Sequence, residues 1–194
     1  EISTTTHTIN VDDTTVPAIT GSITATTVEG CGAGDAPIAV TTVAALEALT
    51  GDLLIADNCT TDANLVVTSN DASTSTFPLV ITRTYTITDE CGNDITRTAT
   101  LTIIDETAPV VTCDADDLTI ECAGLTSNES QAAAWNAANI AKLDACATDA
   151  CAPAEAVTVT SDYAFVNLSD ECGFTGSMEV TYTVWDPCGN DTTI

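Results

Sequence analysis

The chain has 194 residues, of which 29 are acidic and only 3 are basic, so its formal net charge at neutral pH is −26. A surface with this charge repels nucleic acid and anionic membranes, which argues against both as partners. No apolar run is long enough to cross a bilayer, so we expect no membrane insertion. The classes that remain are an enzyme, a binding module and a structural protein.

The first sixteen residues are predicted to form the last strand of a preceding repeat. Threonines alternate here with Ile9 and Val11, which is the two-residue period of a half-buried strand. If the chain is cut from a longer polypeptide, residues 3–11 belong to the repeat before it. If it is a whole subunit, the same strand could finish the sheet of a neighbouring copy by donor-strand addition and so build a filament.

Residues 17–108 are predicted to form a first complete repeat. Alternating apolar residues over 19–28 indicate a strand, and Gly32 and Gly34 indicate a loop. The segment 42–51 begins with threonine, continues with alanine and leucine, and ends with glycine, which is typical of a short helix.

The clearest strand signal lies near the end of this repeat. Threonine occupies every second position over 82–88 and 96–102, while Ile81, Tyr85 and Leu101 stand at positions between. This alternation predicts two antiparallel strands with one exposed and one buried face, joined by a turn that contains glycine and asparagine.

Residues 109–194 are predicted to form a second repeat that lacks its final strand. The Cys-Gly-Asn motif at Cys91 recurs at Cys188, an offset of 188 − 91 = 97 residues. The Asp-x-Thr-x-Pro motif that ends at Pro17 recurs with its proline at Pro109, an offset of 109 − 17 = 92 residues. Repeats of about a hundred residues, with alternating strands, indicate tandem β-sandwich domains.

A longer helix is predicted inside the second repeat. The segment 131–143 is rich in alanine, and Trp135 and Leu143 fall near helical spacing. We expect this helix to pack on an edge or end of the sandwich, with Trp135 as an anchoring contact rather than a ligand-binding one. Residues 168–177 replace a loop of the first repeat, and loops often carry binding functions.

The chain contains nine cysteines and one histidine, without the paired Cys-x-x-Cys spacing of a zinc ribbon. Oxidation outside the cell is the simpler explanation. Because Cys59 and Cys91 recur as Cys151 and Cys188, the repeat predicts one disulfide in each domain. Cys31 is then free, bonded outside this stretch of chain, or a sign that the connectivity differs. The other predicted pairs are Cys122 with Cys172 and Cys113 with Cys146.

Four stretches of the chain resemble a known family of repeats. They are RTYTITDECGNDITRTATLTIIDETAPVV, LTIECAG, WNAANIAKLDACATDAC and LSDECGFTGSMEVTYTVWDPCGN. They are similar to the HYR-like, immunoglobulin-type repeats of very large Bacteroidetes-type surface adhesins, including SprB-type gliding adhesins. The resemblance extends over nearly the whole chain. It implies an all-β fold of tandem immunoglobulin-like β-sandwich domains with short helical inserts, exported by the type IX route and displayed as cell-surface filaments.

From these features we predict a structural segment of an extracellular adhesin or filament. Such a segment is a disulfide-stabilised stalk that presents a distant binding region, and its acidic surface keeps crowded copies apart. Its partners are neighbouring repeats of the same chain or filament, while the surface or glycan target is not named by the sequence. The alternative is a carbohydrate-binding module, which binding of this fragment alone to a glycan array would favour.

Catalysis is not expected from this sequence. The single histidine, His7, occupies an ordinary strand position, and the chain has no Gly-x-Ser-x-Gly motif and no phosphate-binding glycine loop. Paired carboxylates such as Asp116 and Asp117 arise by chance in so acidic a chain. We therefore predict no catalytic residue.

Calcium is the one candidate cofactor. Acidic side chains gather at the predicted domain junctions and on the hairpin turn, and carboxylate and amide oxygens are ligands for this ion. The alternative is a solvated acidic linker without metal, because no EF-hand or nonapeptide loop fixes the geometry. The candidate ligands are Asp12, Asp13, Asp89, Asn93, Asp94, Asp105 and Glu106.

Overall fold

Extended strands make up most of the regular structure in this chain. The computed structural model describes residues 4–122, 125–152, 156–164 and 175–194, with the backbone alone for residues 125 and 126. The chain divides into two units, unit 1 with Glu1–Val28 and Ala33–Ile103, and unit 2 with Glu29–Gly32 and Ile104–Ile194. The division after Ile103 falls five residues before the predicted boundary (108 − 103), and residues 4–16 are grouped with unit 1.

Unit 1 contains a four-stranded sheet in the order β2-β6-β5-β4 and an antiparallel pair of β1 with β3. A short 3₁₀ helix and one α-helix lie between β2 and β3 along the chain. The elements are β1 Ala18–Thr20, β2 Thr26–Glu29, the 3₁₀ helix Ala33–Asp35, α1 Val43–Glu47, β3 Leu54–Ala56, β4 Val66–Ser73, β5 Leu79–Thr88 and β6 Asp94–Ile104.

The hairpin of β5 and β6 confirms the two antiparallel strands predicted from the alternation of threonines. Ile81, Tyr85 and Ile87 are each at most 2% exposed, because the odd-numbered positions of β5 all face the core. The two strands are antiparallel, and their register sets Thr82 opposite Thr100. Threonine rows therefore line the outer face of the hairpin, while the inner face supplies the core of unit 1.

The predicted N-terminal strand is absent from the described residues. Residues 4–17 have no strand assigned, and Ile9 and Val11 are 88% and 94% exposed. Alternation alone does not make a strand, since both the backbone ladder and the apolar face need a partner. No strand of the described part of unit 1 pairs with this stretch, which includes the exposed His7.

The short helix of unit 1 confirms the prediction for segment 42–51. Thr42 is the N-cap residue, and its hydroxyl oxygen accepts a hydrogen bond from the Ala45 N–H at 3.2 Å. Val43 and Leu46 are buried against the core, which fixes a helix too short to persist alone.

Unit 2 contains an antiparallel pair of β7 with β8 and a three-stranded antiparallel sheet in the order β11-β10-β9. Strand β11 pairs with β10 as β6 pairs with β5, so a short part of the final strand that the sequence analysis left out is present. The elements are β7 Val110–Val111, α2 Leu125–Cys146, β8 Ala147–Thr148, β9 Thr158–Ser161, β10 Tyr182–Trp185 and β11 Asp191–Thr193.

Helix α2 has 22 residues and is longer than the predicted segment 131–143. Leu143 is fully buried, and the Asn139 side-chain amide donates to the Tyr182 hydroxyl at 3.3 Å. The Trp135 indole N–H donates to the Asp116 carbonyl, and its ring lies edge-on to Tyr182 with centroids 6.4 Å apart. Trp135 thus makes the anchoring contacts that the sequence predicts. No helix in the described ranges has the length and apolar character needed to span a bilayer.

The disulfides differ in part from the predicted pairs. Cys113 and Cys146 are bonded, as the sequence predicts, but Cys151 bonds to Cys31 instead of Cys188. The Cα atoms of Cys31 and Cys151 are 4.6 Å apart, because Cys31 lies on the segment Glu29–Gly32 that belongs to unit 2. Cys172 lies outside the described residues. The free thiols are Cys59 and Cys91, which were expected to pair, with Cys122 and Cys188.

An ion pair between a buried arginine and a partly exposed aspartate joins the neighbouring strands β4 and β5. Arg83 is 6% exposed, and its Nε and Nη2 atoms each donate to one carboxylate oxygen of Asp71 at 2.8 Å. The third contact of the guanidinium is a 2.7 Å hydrogen bond to the Pro37 carbonyl. Hydrogen bonds from Arg83, together with its charge, hold the pKa of Asp71 below its usual value despite partial desolvation.

We predict that Asp71→Asn destabilises unit 1 at neutral pH by about 1 kcal/mol, near the low end of the range for charged hydrogen bonds because the Asp71 side chain is 41% exposed. The lowered pKa means that this contribution is complete above the unfolded value of about 3.9 and is lost as the pH falls through the folded value. Hydrogen-exchange mass spectrometry of β4 and β5 at neutral and acid pH measures both effects. The charge-matched control, Asp62→Asn at an exposed turn position, should change neither.

Candidate functional site

The turn between β5 and β6 is organised by one carboxylate. Asp89 Oδ1 accepts the N–H groups of Cys91 at 2.9 Å and Asn93 at 2.8 Å, and Oδ2 accepts the Asn93 side-chain amide at 2.7 Å. Gly92 has φ of +91°, a conformation that glycine adopts without steric cost. Burial raises the pKa of Asp89, but these hydrogen bonds outweigh it and lower the pKa overall.

Unit 2 contains the same turn 97 residues further on (186 − 89). Asp186 Oδ1 accepts the N–H groups of Cys188 and Asn190 at 2.8 Å each, and Oδ2 accepts the Asn190 side-chain amide at 2.7 Å. Gly189, with φ of +95°, takes the place of Gly92. The pKa of Asp186 is also lowered, since its hydrogen bonds outweigh the opposing effect of burial.

In both units the asparagine of this turn reaches a distant part of the chain. Asn93 donates a second side-chain hydrogen bond to the carbonyl of Asp13 at 3.1 Å, and Asn190 donates one to the carbonyl of Asp105 at 3.0 Å. Asp13 precedes the first strand of unit 1, and Asp105 precedes the first strand of the 104–194 segment of unit 2. Each hairpin turn therefore holds the segment that leads into its own unit.

A third carboxylate comes from a loop that sequence analysis did not select. Asp57 Oδ2 accepts the N–H groups of Cys59 and Thr60 at 2.8 Å each. Its counterpart 92 residues later (149 − 57), Asp149, accepts those of Cys151 and Ala152 at 2.8 and 2.9 Å. The carboxylate oxygens of Asp13, Asp57 and Asp89 offer ligand atoms within 4.8 Å of one another. We call these three residues acidic cluster 1.

Acidic cluster 2 consists of Asp105 and Asp149 in unit 2, and Asn190 joins the Asp186 carboxylate to the Asp105 carbonyl beside it. One oxygen each of Asp105 and Asp149 lies within 4.8 Å of the other and of the Cys151 Sγ. That sulfur is bonded to Cys31, so it is not a thiolate ligand. The Cys188 thiol has a raised pKa, caused by burial and then by the charges of Asp105 and Asp186, with a smaller effect of Asp149. A hydrogen bond to the Asp105 carboxylate contributes to the same rise in the pKa of this thiol.

The two clusters leave the same oxygen atoms without a donor. Asp13 and Asp105 each use Oδ1 to accept an N–H two residues ahead, while their Oδ2 atoms are buried and unpartnered. The second oxygens of Asp57 and Asp149 are also buried and unpartnered. Among the described residues, seven buried side-chain nitrogen or oxygen atoms lack a hydrogen-bond partner, and these four carboxylate oxygens are the majority of them. Buried carboxylate oxygens that lack donors are energetically costly.

A free thiol accompanies each cluster without changing this conclusion. Desolvation, then the charge of Asp13 and a hydrogen bond to its carboxylate, raise the pKa of the Cys59 thiol. Cys188 stands in the same relation to Asp105 in cluster 2. A protonated thiol is only a weak hydrogen-bond donor and does not offset the charge of a buried carboxylate.

The predicted calcium ligands fall into two groups. Asp13, Asp89 and Asp105 provide cluster carboxylates, and the Asn93 side chain donates to the Asp89 carboxylate and the Asp13 carbonyl. The remaining candidates are exposed residues outside both clusters: Asp12, Asp94 and Glu106. Asp57 and Asp149 were missed, although the recurrence of Asp-x-Cys at the 92-residue offset is a signal for them. The residues of cluster 1 belong to unit 1, and those of cluster 2 belong to unit 2.

Unit 2 also contains a cleft of about 630 Å³ beside α2. Segments 115–120 and 175–180 line it, together with Trp135 and Tyr182. The indole N–H of Trp135 is already engaged by the Asp116 carbonyl, and Lys142 forms an ion pair with the Asp116 carboxylate. The polar groups of this cleft are thus used to hold α2 in place.

Comparison with models of known protein families finds no match for this chain. A search of curated proteins likewise finds no relative. Any function must therefore be argued from the site itself.

We predict that Asn190→Ala destabilises unit 2 by about 1–3 kcal/mol, because it removes one hydrogen bond to the Asp186 carboxylate and one to the Asp105 carbonyl. Tryptophan fluorescence during urea unfolding reports on this unit, since Trp135 and Trp185 are the two tryptophans of the chain. The matched control is Asn93→Ala in unit 1. It should leave the fluorescence transition in place while it shifts the far-UV circular dichroism transition.

Proposed function

We propose that this chain is a segment of tandem immunoglobulin-like β-sandwich repeats in an extracellular adhesin or filament, where it acts as a stalk. One observation carries the proposal: both units build the same local structure from side chains far apart in sequence. Asn93 joins Asp89 to Asp13, and Asn190 joins Asp186 to Asp105 by the same pair of hydrogen bonds. Modules that repeat at this level of detail are typical of linear arrays.

The disulfides support a location outside the cytosol. Such bonds persist in oxidising compartments and are rare where thiols are kept reduced. Cys113 and Cys146 are separated by 33 residues, and closing a loop of this size stabilises the folded state by roughly 3 to 4 kcal/mol in the chain-entropy model. A filament exposed to the environment benefits from a bond of this kind, because it increases the stability of the folded state without a larger core.

The charge of the chain supports a role as a spacer. With 29 acidic and 3 basic residues, neighbouring copies repel one another over about a Debye length, which is roughly 8 Å at physiological salt. Closely spaced filaments with such surfaces do not associate side by side. A passive stalk requires this property, whereas a protein that binds along its whole length does not.

The carbohydrate-binding alternative has weaker support in the structure. Its best location is the cleft beside α2, where Trp135 is the only aromatic side chain besides Tyr182 among the lining residues. Both rings pack against each other, and the indole N–H bonds within the chain. The aromatic groups that would contact a sugar are therefore structural elements of unit 2.

Immunogold electron microscopy tests the proposed function. Antibodies against this chain should label filaments on the surface of intact producing cells, with gold distributed along the filament length. The same antibodies absorbed with the purified chain provide the control. Labelling that requires permeabilised cells would contradict an extracellular stalk. Binding of the chain to a glycan array that Trp135→Ala abolishes would support the alternative instead.

A further inference from the structure

The two acidic clusters have no positively charged side chain to balance them. The chain contains only three basic residues, and each is bound elsewhere. Arg83, Arg97 and Lys142 contact, in that order, the Asp71 carboxylate, the Ile19 carbonyl and the Asp116 carboxylate. Whatever balances the cluster charge must therefore come from solution.

Burial makes this imbalance energetically important. Asp105 is only 8% exposed, its Oδ2 atom is buried without a donor, and one of its carboxylate oxygens lies within 4.8 Å of one of Asp149. Carboxylates this close repel each other, and desolvation strengthens the repulsion. An isolated surface cluster relieves such repulsion by turning its side chains into water. These side chains cannot do so, because their other oxygens are fixed by the N–H groups of their own loops.

The donor set defines which ion fits. Oxygen atoms are the available ligands, because the cluster sulfur of Cys151 is in a disulfide. Calcium prefers such hard ligands and accepts irregular arrangements of six to eight, completed by water. Zinc favours nitrogen and sulfur ligands, and magnesium demands near-octahedral geometry that three separate loops do not readily supply.

We propose that each unit binds one calcium ion, held in unit 1 by Asp13, Asp57 and Asp89, and in unit 2 by Asp105 and Asp149 with Asp186 beside them. The ion joins the segment that leads into the unit, a loop and the hairpin turn. Its binding goes beyond the stalk function and does not depend on it. Because few carboxylates are present and water completes the shell, we expect dissociation constants of about 10⁻⁴ to 10⁻³ M, as in extracellular calcium modules.

Isothermal titration calorimetry on the full chain tests the proposal directly. Calcium chloride is added up to about 10 mM at constant ionic strength, tenfold above the weakest affinity expected, with magnesium chloride in a parallel titration. The expected result is saturable binding of two calcium ions per chain and weaker binding of magnesium. A chain that shows no saturable calcium binding over this range would overturn the proposal without any variant.

Substitutions separate specific sites from diffuse attraction to an acidic surface. Asp57→Asn and Asp149→Asn should each remove one bound ion, and the double variant should remove both. The control pair, Asp62→Asn and Asp144→Asn, changes the net charge equally at exposed positions and should still bind two ions. If the double variant binds as many ions as the control pair, the clusters are not the sites. Far-UV circular dichroism verifies that every variant is folded.

Stability provides a second readout in the same samples. At a calcium concentration 100 times the dissociation constant, the folding equilibrium constant of each unit should rise about 100-fold relative to the chelated chain. For unit 2, calcium should shift the tryptophan fluorescence transition to higher urea concentration. Asp149→Asn should abolish this shift, and Asp57→Asn should preserve it. An equal response in both variants would contradict separate sites.

Discussion

Each unit depends on one side-chain amide placed between two negatively charged segments. Asn93 and Asn190 each donate one hydrogen bond to the carboxylate of their own turn and one to the carbonyl of a residue about eighty positions earlier in the chain. These bonds decide where the segment that leads into the unit is held. Once it is held there, its own carboxylate is brought against the carboxylate of a further loop, and the acidic clusters follow from that geometry.

Because the chain is strongly acidic, no basic side chain is left to balance the charge of the acidic clusters. In a protein with many lysines, a neighbouring cation could settle over each cluster, but here the three basic residues serve other contacts. The hairpin carboxylates are satisfied by N–H groups, which stabilise their charged form. The remaining carboxylates keep one buried oxygen each without a donor. Both units bury such oxygens at equivalent positions despite the energetic cost. This recurrence favours the same kind of ligand in each unit over chance packing.

The sequence predicted those strands and helices whose formation depends on residues close together in the chain. The threonine alternation located β5 and β6, because a two-residue period and a glycine turn are sufficient to specify a hairpin, and Thr42 located the start of α1. The same period failed at Ile9 and Val11, because no strand among the described residues pairs with them. The bond between Cys31 and Cys151 was not predicted, since it depends on which unit the segment Glu29–Gly32 joins. Asp57 and Asp149 were missed for a related reason: their role arises only when three distant segments meet.

The central claim is that both units carry the same ion site, and anomalous diffraction from crystals grown with a lanthanide in place of calcium tests it most directly. The account predicts one anomalous peak in each unit, at about 2.3–2.6 Å from carboxylate oxygens of Asp57 in unit 1 and Asp149 in unit 2. Peaks confined to exposed carboxylates such as Asp62 or Asp144, with none at either cluster, would contradict it.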